Sequence, residues 1–184
     1  MMDHIVDHSE QVCRVAVSLA ENLIHKGIDL DLDLIRAAAL LHDITKTRSF
    51  STHENHAETG GLFLEKRGFT EVGHIIAQHV KLDSYGVSNG LVEAEIVNYA
   101  DKRVLHDQIV LLKDRMAYIL ERYADSLESR ERILGLWDKS KEIEKRIFSH
   151  LPFQPEALKQ VVEAHPNKGS EGSRIQGLEG KRCK

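Results

Sequence analysis

With 184 residues, 41% of them hydrophobic and 29% charged, the chain has the size and balance of a globular domain with a full core and a short extension. No apolar run reaches the roughly 20 residues of a membrane span, and a net charge of −4 leaves no global footprint for nucleic acid. Neither a membrane nor bulk nucleic acid is therefore expected as a partner.

The N-terminus is acidic and His-containing, without the basic-then-apolar layout of a signal peptide. Of the two cysteines, Cys13 falls in a helical apolar pattern and Cys183 is the penultimate residue, so no structural disulfide is expected. Cys13 reads as a buried, inert thiol. A cytoplasmic protein is the expectation. Histidine is the unusual count: 11, about twice ordinary usage.

From Ile5 to Lys26, apolar residues Val12, Val15, Ala16, Leu19 and Leu23 recur at helical steps, and Gly27 supplies a stop. His8, four residues before Val12, extends that stripe. Asp31 or Asp33 can cap a second helix through Ile35, Ala38, Leu41 and His42, whose alanine run permits close packing. A polar stretch from Thr45 to Asn55 follows, then a third helix beginning near His56. Gly60 and Gly61 inside it cost about 1 kcal/mol each relative to Ala, which close backbone approach to a neighbouring helix would offset.

Gly68 ends that helix, and Thr70 is placed to cap a fourth through Ile75, Ile76 and His79. Residues 83–90 read as loop. A fifth helix is expected from Leu91, with Val97, Asp101, Val104 and Leu105 on one face. Residues 109–125 and 128–149 read as long charged helices anchored by Tyr123 and Trp137, and a last short helix passes through Leu158 and Val162. The basic residues of 128–149 are interleaved with Glu, as on a solvated face. The expected organisation is an all-α helical domain over 1–108, a C-terminal helical extension over 109–164, and a flexible tail over 165–184.

Taken singly, each histidine on an apolar face is an ordinary hydrogen-bonded core residue. The pattern is more telling. His8, the pair His42-Asp43, His56, His79 and Asp101 fall about one to a helix. A carboxylate straight after a buried helical turn, as at Asp43, is costly unless a positive partner meets it. Asp101 shares a face with Val97 and Val104, while Lys102 and Arg103 point elsewhere around the helix. Six imidazole and carboxylate groups suffice for two divalent transition-metal ions with open coordination positions, and Fe, Mn, Co, Ni and Zn all suit such donors.

The order His8, His42-Asp43, Asp101 matches the defining pattern of the HD superfamily of metal-dependent phosphohydrolases. The stretch from Ala38 to Lys46, Ala-Ala-Leu-Leu-His-Asp-Ile-Thr-Lys, resembles that family's His-Asp-Ile-Gly-Lys segment, and Tyr99-Ala100-Asp101-Lys102 resembles its final ligand region. The match spans roughly residues 4–107. It implies an all-α bundle with a central metal cleft. His56 and His79 are similar to the extra ligands of the two-metal subgroup. By this resemblance His8, His42, Asp43 and Asp101 form one site, and His56 and His79 complete a second with Asp43 bridging. The chain departs from the family at Thr45, where Gly is frequent, and at Val80, where a second His is frequent. It also lacks a Gly-Tyr-Pro element, which counts against cyclic-di-GMP hydrolysis.

The implied activity is hydrolysis of a nucleotide or another small phosphorylated substrate by metal-activated hydroxide. Asp43 and Lys46 are the expected catalytic residues. Lys46, one turn after His42, is also expected to contact substrate phosphate, as are Lys81 and Arg103; a solvated helix-end lysine is the plain alternative for Lys46. His53 reads as an exposed loop residue or a general acid at the rim. Two other functions sit on the same scaffold, a di-iron oxygenase and a nucleotide-sensing regulatory protein. The C-terminal helices read equally as a homodimer interface or a lid.

Overall fold

The computed structural model describes residues 1–83 and 90–164. The tail expected over 165–184 lies outside the described residues, as does most of the loop expected over 83–90. Among the described residues the fold is all-α apart from one two-stranded ribbon. No helix among the described residues is long and apolar enough to cross a membrane.

Helix α1 (Asp3–Ile24) is the central element, packed against α2 (Leu32–Leu41) and α6 (Glu93–Lys102). Its stripe Val12, Val15, Ala16, Leu19 and Leu23 is fully buried, as the spacing requires. It stops at Gly27, whose φ of +84° lets Ile28 N–H reach back to Leu23 O. Asp31 caps α2 by accepting from Leu34 N–H. Ala38 and Ala39 are buried and carry little bulk, which seats α2 on the core.

Helices α4 (His56–Glu65) and α5 (Thr70–Ala77) meet through glycine. A Cβ on Gly61 would lie 2.8 Å from Gly73 O, and one on Gly73 would lie 2.7 Å from Gly61 O. Backbone therefore touches backbone, the close approach that offsets the propensity cost of helical glycine.

Four local expectations are corrected. The stretch 45–55 contains a helix, α3 (Lys46–Thr52), with no buried residue and therefore no apolar period to betray it. It ends at His53, which is left-handed with φ 57°. The fifth helix stops at Lys102, and Val104–Leu105 (β1) pairs antiparallel with Gln108–Ile109 (β2) around His106, also at φ 57°. Thr70 is the first residue of α5 and makes no cap bond. Tyr123 is 57% exposed and anchors nothing, whereas Trp137 packs against the core.

Helices α7 (Leu112–Tyr123) and α8 (Leu127–Ser149) pack on each other, with α8 also against α6. A 3-10 turn (Pro155–Ala157) leads into α9 (Leu158–Glu163), which lies on α1. Arg103 locks this region together. Its guanidinium donates to Val110 O at 2.7 Å, Tyr99 Oη at 2.6 Å and Pro155 O at 2.9 Å, and Glu144 lies 3.6 Å away.

Candidate metal centre and adjoining cleft

Helix ends converge on one point. His8 comes from the first turns of α1, His42 is the C-cap of α2, and Asp43 follows it. His56 opens α4, His79 lies just past α5, and Asp101 is near the end of α6. The structure thus brings all six predicted ligands together, with Lys46 at the start of α3 beside them.

Three of the imidazoles are held alike. Nδ1 of His8 lies 2.7 Å from His106 O, that of His42 2.8 Å from Ala39 O, and that of His79 2.7 Å from Ile76 O. A carbonyl only accepts, so Nδ1 carries the hydrogen; in His42 and His79 Nε2 then presents a lone pair to the centre, whereas His8 Nε2 lies 3.1 Å from Asp101 Oδ1 and donates to it. Backbone carbonyls in this role fix ring orientation and tautomer, as second partners of metal-bound histidines do.

Asp43 sits between two groups of donors. Its Oδ2 is 3.5 Å from His42 Nε2, while its Oδ1 is 3.2 Å from His56 Nε2 and 3.6 Å from His79 Nε2. Asp101 Oδ1 is 3.1 Å from His8 Nε2 and 3.8 Å from His42 Nε2. Two triads, His8-His42-Asp43 and Asp43-His56-His79, share Asp43, and within each the ligand atoms lie within 4.8 Å of one another. His42 Nε2 and Asp43 Oδ1 are buried with no hydrogen bond among the described residues. Orphaned polar atoms in a core are costly, and divalent cations would satisfy both. The residues fit a metal centre.

Electrostatics agree. Burial lowers the pKa of His42 and, as the largest cause, takes His79 down to about 3, so both rings are neutral. For His8, burial acts downward, but the hydrogen bond and charge of Asp101 outweigh it and raise the pKa. Burial also pushes Asp43 and Asp101 upward. The histidines and Lys46 around Asp43, and His8 and His42 around Asp101, overcome that and hold both carboxyls ionised.

Residues 5–104 match the family described as HD domain. The chain belongs to the HD domain family. That family is of the metal-dependent phosphohydrolase type. The HD domain here is similar to an uncharacterized protein of Methanocaldococcus jannaschii, 27% identical over 150 residues, covering 74% of this chain and 88% of that protein. It is also similar to a tRNA (cytidine(56)-2'-O)-methyltransferase of Picrophilus torridus, 31% identical over 130 residues. That match covers 62% of this chain but only 35% of the methyltransferase. No solved structure is a significant match.

Among the described residues, cavities open from the HD centre on two sides. One is lined by Lys46, His56, His79 and Asp101 together with residues of α7 and α8, the other by His8, Asp43, Lys46, Phe50, Tyr118 and Arg122. Lys46 and Arg115 line both. The other two expected phosphate contacts do not reach the cluster. Lys81 is exposed and lines neither cavity, and Arg103 is 1% exposed and committed to the bonds described above. Their spacing from His79 and Asp101 placed them near the site along the chain, but Arg103 is turned away at the end of α6 and Lys81 lies on the bend that follows His79.

Lys102 and Arg115 occupy the cavity wall in their place. Lys102 Nζ donates to His79 O at 3.1 Å and to Asn98 Oδ1 at 2.8 Å, and Asn98 Nδ2 donates to Gln78 O and His79 O. Together they pin the chain that carries His79. The signal for Asn98 was a polar side chain on the apolar face of α6. Arg115 had no such signal, because nothing around it in sequence marks a site. His53 is exposed and lines neither cavity.

Proposed function

We propose that the chain is a phosphohydrolase of the His-Asp-Ile-Gly-like, two-metal kind, cleaving a phosphate ester or anhydride of a small phosphorylated substrate, nucleotides included. The observation that carries this reading is Asp43, whose two carboxylate oxygens face separate sets of histidine Nε2 atoms. A bridging carboxylate is what a pair of adjacent cations needs, and a single-ion site has no use for the second set. His8, His42, Asp43 and Asp101 would hold one ion, and Asp43, His56 and His79 the other.

Bound there, two divalent ions supply an acidified water and neutralise charge on phosphate oxygens. The chain's own part is positioning. Lys46 stands over Asp43 and faces both cavities, where its ammonium can take a phosphate oxygen. Arg115 approaches the same space from α7 with a guanidinium suited to paired phosphate oxygens. Neutral His42 and His79 spend no proton on binding metal at pH 7.

The test is release of phosphate from mono-, di-, cyclic and dinucleoside phosphates and simple phosphate esters by protein loaded with Mn, Fe or Co, beside a chelated control. Chelator-sensitive turnover is the expected result. Silence across the panel with metal confirmed bound would overturn the hydrolase reading in favour of an oxygenase or a sensor.

A further inference from the structure

Resting on the hydrolase reading, we infer that α7 and α8 build a substrate-selecting pocket for an apolar group, so that the substrate is a phosphate monoester of a compact hydrophobic alcohol. The cavity beside His56, His79 and Asp101 continues into a wall of Met116, Ile119, Ile133, Leu136 and Trp137. All five lie beyond residues 5–104, the part matched by the HD domain. The apolar wall is therefore supplied by the extension, while Lys46, His56, His79 and Asp101 come from within the matched domain.

The cavity lining has two chemistries. Lys46 pairs with Asp43, Lys102 binds His79 O, and Arg115 joins them in the wall, while Met116, Ile119, Ile133, Leu136 and Trp137 supply hydrocarbon and indole. Arg115 Nε is buried and has no hydrogen bond among the described residues, so it is a donor awaiting an acceptor in this cavity. An ester phosphate supplies one.

Two polar side chains of the lining are already engaged. Ser140 Oγ donates to Leu136 O at 3.0 Å, and the three Lys102 hydrogens are matched by Asn98 O, Asn98 Oδ1 and His79 O. Beyond the cations, the lining offers a polar ligand little more than the Trp137 indole N–H and the lone pairs of Ser140 Oγ, few groups with which to read the edge of a nucleobase or the hydroxyls of a sugar. Such a group would surrender most of its hydrogen bonds to water, whereas an alkyl or aryl group gains by leaving water.

In the reaction a water oxygen bonds to phosphorus, the bond from phosphorus to the alcohol oxygen breaks, and the alcohol leaves with a proton from that water. The freed alcohol would occupy the apolar pocket, and phosphate would remain beside Lys46 and Arg115.

Trp137 is the only tryptophan, so its fluorescence reports occupancy of the pocket independently of turnover. Metal-loaded full chain would be titrated with n-propyl to n-octyl phosphate, phenyl phosphate, glycerol phosphate and 5'-AMP, with phosphate release followed in parallel. The expected result is a Trp137 signal whose affinity rises roughly threefold to fourfold per buried methylene until the pocket is full. Glycerol phosphate and 5'-AMP should bind more weakly than alkyl esters of similar size. Ile119→Gln should flatten the chain-length series. Affinity independent of chain length, or preference for 5'-AMP, would overturn this pocket and leave the hydrolase standing. A steep alkyl series with no phosphate released from any compound would support the pocket and overturn the hydrolase.

Discussion

The Lys46 ammonium lies 2.6 Å from Asp43 Oδ2, pairing a partly exposed cation with a carboxylate that is 1% exposed. Without metal, Lys46 is the nearest cation to this buried charge. Cations on both sides of Asp43 would take over that neutralisation and release Lys46 to a substrate oxygen. Lys46→Gln is therefore expected to keep its metal and to lose turnover by about 100-fold, the usual scale for one transition-state donor. Elemental analysis beside kcat checks this. Loss of metal in step with activity would place Lys46 in support of the ion site.

Asp43→Asn tests the bridge itself. The amide keeps the size of the side chain but replaces one acceptor oxygen with a donor that faces either His42 or His56 and His79. Disturbing an outer partner of a ligand already costs roughly 10- to 100-fold in metal affinity. Removal of a shared ligand should cost at least the upper figure and take activity with it. A variant that retains two ions per chain would end the bridging assignment.

The glycine contact between α4 and α5 carries a stability prediction that also bears on the site, because these helices position His56 and His79. In Gly61→Ala the new Cβ would meet Gly73 O at 2.8 Å and Ala77 Cβ at 3.0 Å, and backbone cannot step aside cheaply. A loss of about 1–3 kcal/mol is expected, with weaker binding of metal. Gly135 in exposed α8 is the control, since nothing lies within 4 Å of its added Cβ. Gly135→Ala should gain about 0.5–1 kcal/mol from helix propensity alone. Denaturant midpoints of the two variants should move in opposite directions.

Much of this architecture was legible in the chain. The period of Val12, Val15, Leu19 and Leu23 declares α1, and a polar group on such a stripe has to be matched by something, which is why His8 and Asp101 stand out. Gly60 and Gly61 in a helix announced a close approach, and Gly73 O is what Gly61 approaches. Helix α3 was hidden because a helix with no buried residue has no apolar period. The ribbon at Val104–Ile109 was hidden because Val104, three residues after Asp101, fits a continuing helix, and the left-handed His106 that reverses the chain carries no Gly or Asn signature. Arg103 was misplaced toward substrate, since neighbours in sequence gave no sign that Val110, Tyr99 and Pro155 would claim its guanidinium. Arg115 reaches the centre only through tertiary packing of α7, which local pattern does not encode.

Acid should destabilise the metal-free protein from a higher pH than carboxylates alone would explain. Burial holds His42 below the ordinary histidine value and His79 down to about 3, whereas both titrate near pH 6.5 when unfolded. Between these values the unfolded chain binds more protons, so this stability is present above about pH 6.5 and is lost as pH falls toward 3. Each ring can contribute a slope of at most about 1.4 kcal/mol per pH unit. Asp43 and Asp101, held low, add loss in the same direction once pH falls through the unfolded carboxylate range near 4. His8 acts oppositely. Its raised value gives stability that is complete below about 6.5 and fades as pH rises through the folded value, so it cannot mask the acid limb. Urea midpoints of the chelated protein at pH 7, 6, 5 and 4 should fall from the first step below 6.5. A midpoint constant down to pH 5 would show that the buried rings are not held neutral.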